Sequence, residues 1–210
     1  MRHRVAEAIQ AIVFDFGGVF TRAEVSERAL QAYDRQLGLP AGTLRAALHS
    51  GEPWELASTG QITRDEYWAQ IGGAAYAERL PDEFKRYRQG VFHVEPIEPA
   101  MVQLAQRLHG VYKLALCSNA LHDLPEVLVE RPDIRELFDV VVVSVLVGVR
   151  KPDPAIFTLT AERLGLPVSA CLLVDDKPRN TAAAEALGMP AIVFESAAQL
   201  TRALEERGLL

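Results

Sequence analysis

The stretch AIVFDFGGVF, residues 11–20, decides the fold of this chain. Four apolar residues run without interruption into a single carboxylate, Asp15, and Gly17 and Gly18 follow closely. A short continuous apolar run of this kind is typical of a strand that is buried on both faces of a parallel sheet. Ligands of such sheets bind beyond the carboxyl ends of the strands, so Asp15 is predicted to lie at a binding edge.

Further apolar runs predict strands, and segments with helical spacing lie between them. The predicted strands are 11–15, 112–117, 139–143, 171–175 and 191–194, and the predicted helices are 97–109, 154–165, 179–187 and 197–207. Pro125 and Pro132 predict a broken helix within 121–136, because proline interrupts helical hydrogen bonding. This alternation indicates an α/β fold, with a three-layer Rossmann-like parallel sheet core.

Residues 21–91 break the alternation. They contain no convincing strand, but helical patterns occur in AEVSERALQAYDRQLG, AGTLRAALHS, TRDEYWAQIGG and PDEFKRYRQG. So long a helical stretch between the first two strands exceeds an ordinary crossover. We therefore predict an α/β core formed by residues 1–20 and 92–210, and a helical cap domain, residues 21–91, that is inserted after the first strand and closes over the sheet edge.

The composition is that of an ordinary globular protein, with 49% hydrophobic and 24% charged residues among 210 and a net charge of -6. This charge argues against a nucleic acid or an anionic membrane as a partner, because both require a basic face. Glu7, Gln10 and Asp15 interrupt the N-terminal stretch before a signal peptide can form, and no apolar run is long enough to span a bilayer, so we expect a cytoplasmic protein. Cys117 and Cys171 lie within apolar runs, which predicts reduced, buried thiols.

Polar residues follow the predicted strands at one edge of the sheet: Asp15, Ser118, Asn119, Arg150, Lys151, Asp175 and Asp176. Asp15 and one of the two adjacent aspartates form an oxygen site suited to Mg²⁺. A hydroxyl, backbone amides and a lysine hold an anion with several acceptor oxygens, for which phosphate is the obvious candidate. Asp15 is then predicted as a metal ligand and as the nucleophile that forms an aspartyl-phosphate, while Lys151 neutralises the transferring phosphoryl group.

Four motifs, VFDFGGV, LCSNA, GVRKPDPAIF and LLVDDKPRNTAAAEALGM, occur in this order, with the helical insertion after the first. Together they resemble the haloacid dehalogenase-like (HAD) hydrolase superfamily, and most closely its capped phosphatases of the glucose-1-phosphate and sugar-phosphate type. The resemblance covers essentially the whole chain. It implies a phosphoric monoester hydrolase that uses Mg²⁺ and acts on a small-molecule phosphate ester.

The resemblance also implies a role for each matched position. Asp15 matches the nucleophile, Ser118 the phosphate-binding hydroxyl and Lys151 the lysine of the third motif. Asp176 matches the metal ligand of the fourth motif, with Asp175 beside it as a further ligand or a support. The other matched positions are Gly17, whose carbonyl corresponds to a metal ligand, Gly18 and Asn119 in the substrate-binding region, and Asn180 in the metal loop.

Gly17 departs from the family pattern. Most phosphatases of the family carry a second aspartate at this position, which gives a proton to the leaving group and takes one from the attacking water. Such proton transfer typically contributes about 10²–10⁴-fold to the rate. Three explanations stay open: a leaving group that needs little help, a proton supplied by a cap residue or a bound water, or residual activity. The glucose-1-phosphate phosphatases that this chain resembles also lack the acid, which favours the first two.

Two other functions compete with the phosphatase hypothesis. A metal-independent 2-haloacid dehalogenase uses the same aspartate nucleophile on carbon and likewise lacks a second aspartate. Asp175 and Asp176 argue against it, because adjacent carboxylates repel each other without a cation. The third hypothesis is a weakly active or non-catalytic regulator with the HAD fold, since a fold alone does not establish activity. The sequence leaves monomer and homodimer equally open.

The aromatic residues of the predicted cap are expected to pack as a small helical bundle: Trp54, Tyr67, Trp68, Phe84 and Tyr87. The segment HSGEPWELASTG, residues 49–60, is the exception, because His49, Glu52 and Trp54 precede a predicted turn and are candidates for reading the leaving group. His93 and His122 are expected to be structural or exposed.

Overall fold

A computed structural model describes residues 8–210, so the first seven residues of the predicted core, Glu7 among them, lie outside the described part. The sheet consists of β1 (Ala11–Phe14), β2 (Lys113–Ser118), β3 (Val140–Val143), β4 (Cys171–Asp175) and β5 (Ala191–Val193). Its order is β3-β2-β1-β4-β5, and all neighbouring strands are parallel. The first strand of the chain is therefore the central one, which explains why all four residues of β1 are buried.

Side chains of β1 alternate between two hydrophobic layers, as the pleat requires. Ile12 and Phe14 belong to a cluster with helices α6 (Pro99–Leu108), α7 (Asp123–Glu130) and α12 (Ala197–Glu205). Ala11 and Val13 belong to a second cluster with α10 (Pro154–Leu164) and α11 (Pro178–Ala186). Helices thus cover both faces of the sheet, and the predicted three-layer α/β fold is confirmed.

Only helical elements lie between β1 and β2 before α6 within the described chain: α1 (Ala23–Leu37), α2 (Thr43–His49), α3 (Gly51–Ser58), α4 (Arg64–Gln70), α5 (Gly73–Ala77) and 3-10 turns at Asp82–Arg88 and Val91–His93. A separate hydrophobic cluster around Leu30, Leu44 and Phe84 holds much of this insertion together. Its boundaries as a cap domain, 21–91, stay a prediction.

The predicted elements agree with the structure to within one or two residues at most ends. The second strand is one residue later than predicted: it takes in Ser118, which pairs with Val143 of β3. The broken helix is present as α7 and α8 (Pro132–Arg135), and Pro125 lies in the first turn of α7, where its missing N–H costs no helical hydrogen bond. Helix α3 and the short helix α9 (Ser144–Val147) were not predicted.

Helix α3 begins at Gly51 and carries Pro53 in its first turn. Glycine and proline in close succession are typical of a loop, yet proline is tolerated in the first turn of a helix. Both cysteines are free and buried in strands β2 and β4, as predicted. Across residues 8–210, every helix is too short or too polar to cross a membrane.

Candidate active site

Three carboxylates meet at the carboxyl edge of the sheet. Asp15 follows β1, while Asp175 and Asp176 lie at the end of β4, the neighbour of β1. One carboxylate oxygen from each residue lies within 4.8 Å of the others. Parallel strands bring their carboxyl ends to the same edge, so the adjacency of β1 and β4 accounts for this cluster.

Asp15 is held in place through one of its oxygens. The Phe16 N–H donates to Asp15 Oδ1 at 2.7 Å, and the Ser118 hydroxyl donates to the same atom at 2.8 Å. Lys151 Nζ lies 3.1 Å from Oδ1 as well. All these side-chain contacts with described residues fall on Oδ1, which leaves Oδ2 as the oxygen available to a bound group.

Lys151 is the fully buried cation between two of the carboxylates. Its Nζ donates to Asp175 Oδ2 at 2.5 Å and lies 3.1 Å from Asp15. Asn119 fixes its main chain: the Lys151 N–H donates to Asn119 Oδ1, and Asn119 Nδ2 donates to the Lys151 carbonyl, both at 2.8 Å. The amide of Asn119 is therefore engaged in positioning Lys151, and its part in substrate binding stays a prediction.

The adjacent aspartates differ in how their oxygens are satisfied. Asp175 is fully buried, and Asn180 Nδ2 and the Lys177 N–H both donate to its Oδ1 at 2.9 Å. Asp176 receives one bond, from Lys177 Nζ to Oδ2 at 2.7 Å. Asp176 Oδ1 is buried and has no hydrogen-bond partner among the described residues. Asp175 thus supports the site from within, and Asp176 offers an oxygen to it.

Burial and charge act together on the ionisation of these groups. Burial raises the pKa of Asp15 to about 6, against the lowering effect of Lys151, and the charges of Asp175 and Asp176 raise it further. Burial would also raise the pKa of Asp175, but Lys151 and the hydrogen bonds hold it below its ordinary value. Despite burial, the charges of Asp15 and Asp175 raise the pKa of Lys151, so this lysine remains a cation.

The two glycines after Asp15 meet different constraints. Gly18 has a φ of +75°, and a Cβ there would lie 2.8 Å from Asp176 Oδ2, so only glycine fits. Gly17 does not have a positive φ. A Cβ at Gly17 would instead lie 3.2 Å from Cε1 of Phe92, so the Phe92 ring takes up the space into which a side chain at this position would extend.

A cavity of about 150 Å³ lies over these residues. One side, here called the sheet wall, is formed by Asp15, Ser118, Lys151 and Asp176. The opposite side, the insertion wall, is formed by Leu48, His49, Trp54 and Tyr67. A concave site with apolar rings and a few converging polar groups is typical of small-molecule binding.

The insertion wall is a chain of ring contacts. The rings of His49 and Trp54 meet edge-on with centroids 5.5 Å apart, and Trp54 lies 6.2 Å from Tyr67. The Tyr67 hydroxyl donates to the Leu48 carbonyl at 2.6 Å. Burial, together with the charges of Arg45 and Lys177, lowers the pKa of His49 to about 4, so its imidazole is neutral near pH 7.

Some of the other residues singled out from the sequence line the cavity, and others do not. His49 and Trp54 line the cavity, whereas Glu52 is exposed and is not among the lining residues described. Trp68 and Phe84 pack inside the insertion as predicted, and Tyr87 does so while also lining the cavity. His122 is exposed, and His93 lies 3.2 Å from Glu126, as expected for histidines outside the site. Arg150 lines the cavity and approaches Glu55 of α3 at 3.6 Å.

The cavity residues that sequence reasoning did not single out include Arg45, Phe92, Glu95 and Asp123. Asp123 comes shortly after the LCSNA motif, as the first residue of α7, which ends the loop that leaves the carboxyl end of β2. An acidic residue in that loop was a usable signal. Arg45 lies within a helical pattern, and Phe92 and Glu95 lie between two such patterns; all three are far from the carboxyl end of any strand, and nothing local marks them.

The family model of the haloacid dehalogenase-like hydrolases matches residues 9–188. Among curated proteins, the chain is 28% identical to phosphatase MT3486 of Mycobacterium tuberculosis, over 91% of this chain and 90% of that protein. It is 26% identical to the fructose-1-phosphate phosphatase YqaB of Escherichia coli, over 89% and 96% respectively.

Other relatives are much longer than this chain. The match to acyl-CoA dehydrogenase family member 10 of Mus musculus, at 29% identity, covers 97% of this chain and 19% of that protein. The chain likewise spans 38% of the drimenol cyclase drtB of Aspergillus calidoustus and 33% of a CBBY-like protein of Arabidopsis thaliana.

Solved structures show the same fold. A predicted HAD-like family hydrolase from Porphyromonas gingivalis superposes with a TM-score of 0.69 at 21% identity, over 94% of this chain and 98% of that one. A HAD family enzyme from Bacteroides thetaiotaomicron, in complex with magnesium and inorganic phosphate, gives 0.67 at 17% identity, over 90% and 95%. The L-2-haloacid dehalogenase PA0810 gives 0.62 at 25% identity, over 88% and 83%. With this fold, this sheet edge and a family match over most of its length, the chain belongs to the haloacid dehalogenase-like hydrolases.

Proposed function

We propose that this chain is a Mg²⁺-dependent phosphatase that hydrolyses a small phosphorylated metabolite through an aspartyl-phosphate on Asp15. One observation carries the proposal: three carboxylates have oxygens within 4.8 Å of one another, the buried Lys151 contacts only two of them, and Asp176 Oδ1 has no hydrogen-bond partner within residues 8–210. Such an excess of buried negative charge is stabilised by a cation. Hard oxygen donors are the ligands that Mg²⁺ prefers.

Each side chain of the sheet wall has a separate role in phosphoryl transfer. Asp15 Oδ2 attacks phosphorus, while the contacts on Oδ1 keep the carboxylate in one orientation. Ser118 and Lys151, both buried, bind the oxygens of the phosphoryl group. Lys151 also offsets the charge that develops during transfer, because it stays protonated between Asp15 and Asp175. Water then hydrolyses the aspartyl-phosphate.

Asp15 and Asp176 are the side chains that would hold Mg²⁺, with the Gly17 carbonyl as a further predicted ligand. Asp175 would act as a ligand or as a support, and its hydrogen bonds to Lys151 and Asn180 favour the second role. When bound, the cation supplies neutralising charge to the phosphoryl oxygens.

A sugar phosphate is the first substrate class to test. The relatives include a fructose-1-phosphate phosphatase, and the small cavity suits an ester of that size. The rings of Trp54 and Tyr67 present apolar faces to the leaving group, on which the apolar face of a sugar can stack. We also propose that residues 21–91 act as the cap that closes this cavity.

The test is a panel of phosphorylated metabolites assayed with MgCl₂, with sugar 1-phosphates first. The parent should release phosphate from at least one ester, and Asp15→Asn should lose the activity, because an amide does not form the covalent intermediate. Asp153→Asn is the matched control: Asp153 is exposed and caps α10 through Ala155 N–H, a role that asparagine also fills. A parent without activity on any ester, or an Asp15→Asn variant as active as the parent, would refute the proposal.

The dehalogenase remains the second candidate, because the structural match to an L-2-haloacid dehalogenase covers 88% of this chain. A chelator separates the two functions. Turnover of 2-chloropropionate that persists in EDTA would establish the dehalogenase, whereas phosphate release that EDTA abolishes supports the phosphatase. A non-catalytic regulator would show neither activity.

A further inference from the structure

The cavity has no acid at position 17, so a proton for a strongly basic leaving group would have to come from another residue or from a bound water. Outside the metal cluster, the cavity carboxylates are Glu95 and Asp123. Both oxygens of Glu95 already accept hydrogen bonds, from the hydroxyls of Thr21 at 2.5 Å and Ser26 at 2.6 Å. Each oxygen of Glu95 is therefore already held by one hydroxyl donor.

The other titratable side chains of the insertion are poor proton donors. His49 is neutral near pH 7, because burial and the charges of Arg45 and Lys177 lower its pKa to about 4. Burial raises the pKa of Tyr67, with help from the charge of Asp123, and also that of Tyr87. Efficient proton transfer needs a pKa near the working pH, so these three residues are poorly suited.

Asp123 differs from all of them. It begins α7, is 1% exposed and lines the cavity. Its Oδ2 accepts the Phe92 N–H at 3.1 Å, and a Cβ at Gly90 would lie 2.2 Å from the same oxygen, so the backbone of residues 90–92 encloses this half of the carboxyl group. Its Oδ1 is buried and has no hydrogen-bond partner within residues 8–210.

Phe92 connects this carboxyl group to the missing acid. Its ring lies against Gly17, where a side chain would extend, and its N–H holds Asp123. Asp123 and position 17 thus both contact Phe92, one through its N–H and the other through its ring, and both line the same cavity. Phe92 is therefore the one residue between position 17, where the acid is absent, and Asp123.

The charges near Asp123 are already engaged elsewhere. Arg64 of α4 donates from Nη2 to both oxygens of Glu126, at 2.9 and 3.0 Å, and His93 lies 3.2 Å from the same carboxylate. Tyr67 faces Asp123 from α4 as a neutral phenol. Burial raises the pKa of Asp123 to about 6, although the Phe92 N–H, the charges of His93 and Arg64 and the adjacent Leu124 N–H act to lower it.

Asp34 shows what a purely structural buried aspartate looks like in this protein. It is fully buried, and its oxygens accept the N–H groups of Gly42 at 2.7 Å and Leu44 at 3.0 Å. Both oxygens are thus used to order the turn before α2. Asp123 lines the cavity and is almost as buried, but its Oδ1 has no hydrogen-bond partner among the described residues, which is costly unless the oxygen has a use.

We propose that Asp123 gives the proton to the leaving group in place of the acid that Gly17 lacks; the inference rests on the proposed phosphatase function. Asp15 Oδ2 forms a bond to phosphorus while the bond from phosphorus to the ester oxygen breaks. The proton of the Asp123 carboxyl group moves to that oxygen, directly or through one water, and the alcohol leaves. Asp123, now a carboxylate, takes a proton from the water that attacks the aspartyl-phosphate, which releases phosphate and restores both aspartates.

The experiment compares two esters of similar size. Benzyl phosphate releases a strongly basic alkoxide that must be protonated, whereas p-nitrophenyl phosphate releases a weakly basic phenolate. In Asp123→Asn, kcat/KM should fall about 10²-fold or more for benzyl phosphate and less than about threefold for p-nitrophenyl phosphate. Asparagine keeps an oxygen for the Phe92 N–H. The ratio of the two values does not depend on the fraction of enzyme that is folded.

Asp34→Asn is the matched control for loss of a buried carboxylate, and it should leave the ratio unchanged even if it lowers the melting temperature. An equal fall on both esters in Asp123→Asn, or no fall on either, would overturn the inference. Asp15→Asn separates this result from the proposed function. If it abolishes turnover of both esters while Asp123→Asn leaves the ratio unchanged, the phosphatase stands and only the role of Asp123 fails.

Discussion

The sheet wall and the insertion wall face the same cavity, but they are built differently. On the sheet wall, charged side chains have charged partners: Lys151 lies between Asp15 and Asp175, and Asp176 accepts from Lys177. On the insertion wall, rings contact rings, and the imidazole of His49 is uncharged near pH 7. Removing a charge from the first wall leaves its partners buried and unpaired, whereas removing a ring from the second leaves only space. We therefore expect substitutions on the sheet wall to reduce catalysis strongly, and substitutions on the insertion wall to change substrate selectivity.

Lys151→Met tests the sheet wall where the effect should be largest. Its loss leaves the carboxylates of Asp15 and Asp175 buried without their cation. We expect the free energy of unfolding to fall by about 3–5 kcal/mol and kcat to fall about 10³-fold. Urea denaturation and turnover of p-nitrophenyl phosphate measure the two effects. Lys113→Met is the control, because Lys113 begins β2 at the end away from Ser118 and the cavity. It should change stability and turnover little. Equal effects of the two substitutions would contradict the contrast between the two walls.

Metal binding provides the next largest effect. Because three carboxylates lie close together, Mg²⁺ at about a hundred times its dissociation constant should stabilise the parent by about 2.7 kcal/mol, or about 5–10 °C in melting temperature. Asp176→Asn removes one ligand and should lose most of this shift. Thermal melts with MgCl₂, and with NaCl at the same ionic strength, measure it. The same shift in parent and variant would show that the cation binds elsewhere.

Trp54→Ala tests the insertion wall. Trp54 contacts His49 and Tyr67 and carries no charge, so its loss should raise KM about tenfold for the best sugar phosphate while kcat changes less. Steady-state kinetics with that sugar phosphate and with p-nitrophenyl phosphate separate binding from chemistry. Tyr76→Ala is the control, because Tyr76 packs against Phe84 inside the insertion. If kcat falls by a larger factor than KM rises, Trp54 acts on the chemical step, as the sheet wall does, and the prediction is wrong.

The smallest effect concerns pH. The pKa of His49 is lowered from 6.5 to about 4, so between these values the unfolded chain binds a proton that the folded chain does not. The contribution of His49 to stability is therefore complete above about pH 6.5 and is lost as the pH falls toward 4. Relative to His49→Gln, the parent should lose about 1 kcal/mol between pH 7 and pH 5, since the partly exposed ring reduces the full effect. Parallel unfolding curves for the two proteins would contradict this.

Local patterns were sufficient for most of the fold. The apolar run before Asp15, and the runs before Ser118 and Asp175, predicted strands whose carboxyl ends meet, because the topology of a parallel sheet requires it. Helix α3 was missed because Gly51 and Pro53 are typical of a loop, although both are compatible with a helical first turn. Asp123 was missed because nothing around it in the sequence marks burial of a carboxylate.

The sequence by itself determined the α/β class, the order of the four motifs and the group of residues that the sheet edge collects. These follow from hydrophobic periodicity and strand ends, which are local properties of the chain. Only the tertiary structure decided which polar atoms find partners: that Asn119 holds the main chain of Lys151, that two hydroxyls donate to Glu95, and that one buried oxygen of Asp123 has no partner in the described part of the chain. The physical reason is that hydrogen-bond satisfaction of a buried group depends on residues distant in sequence, which no local pattern specifies.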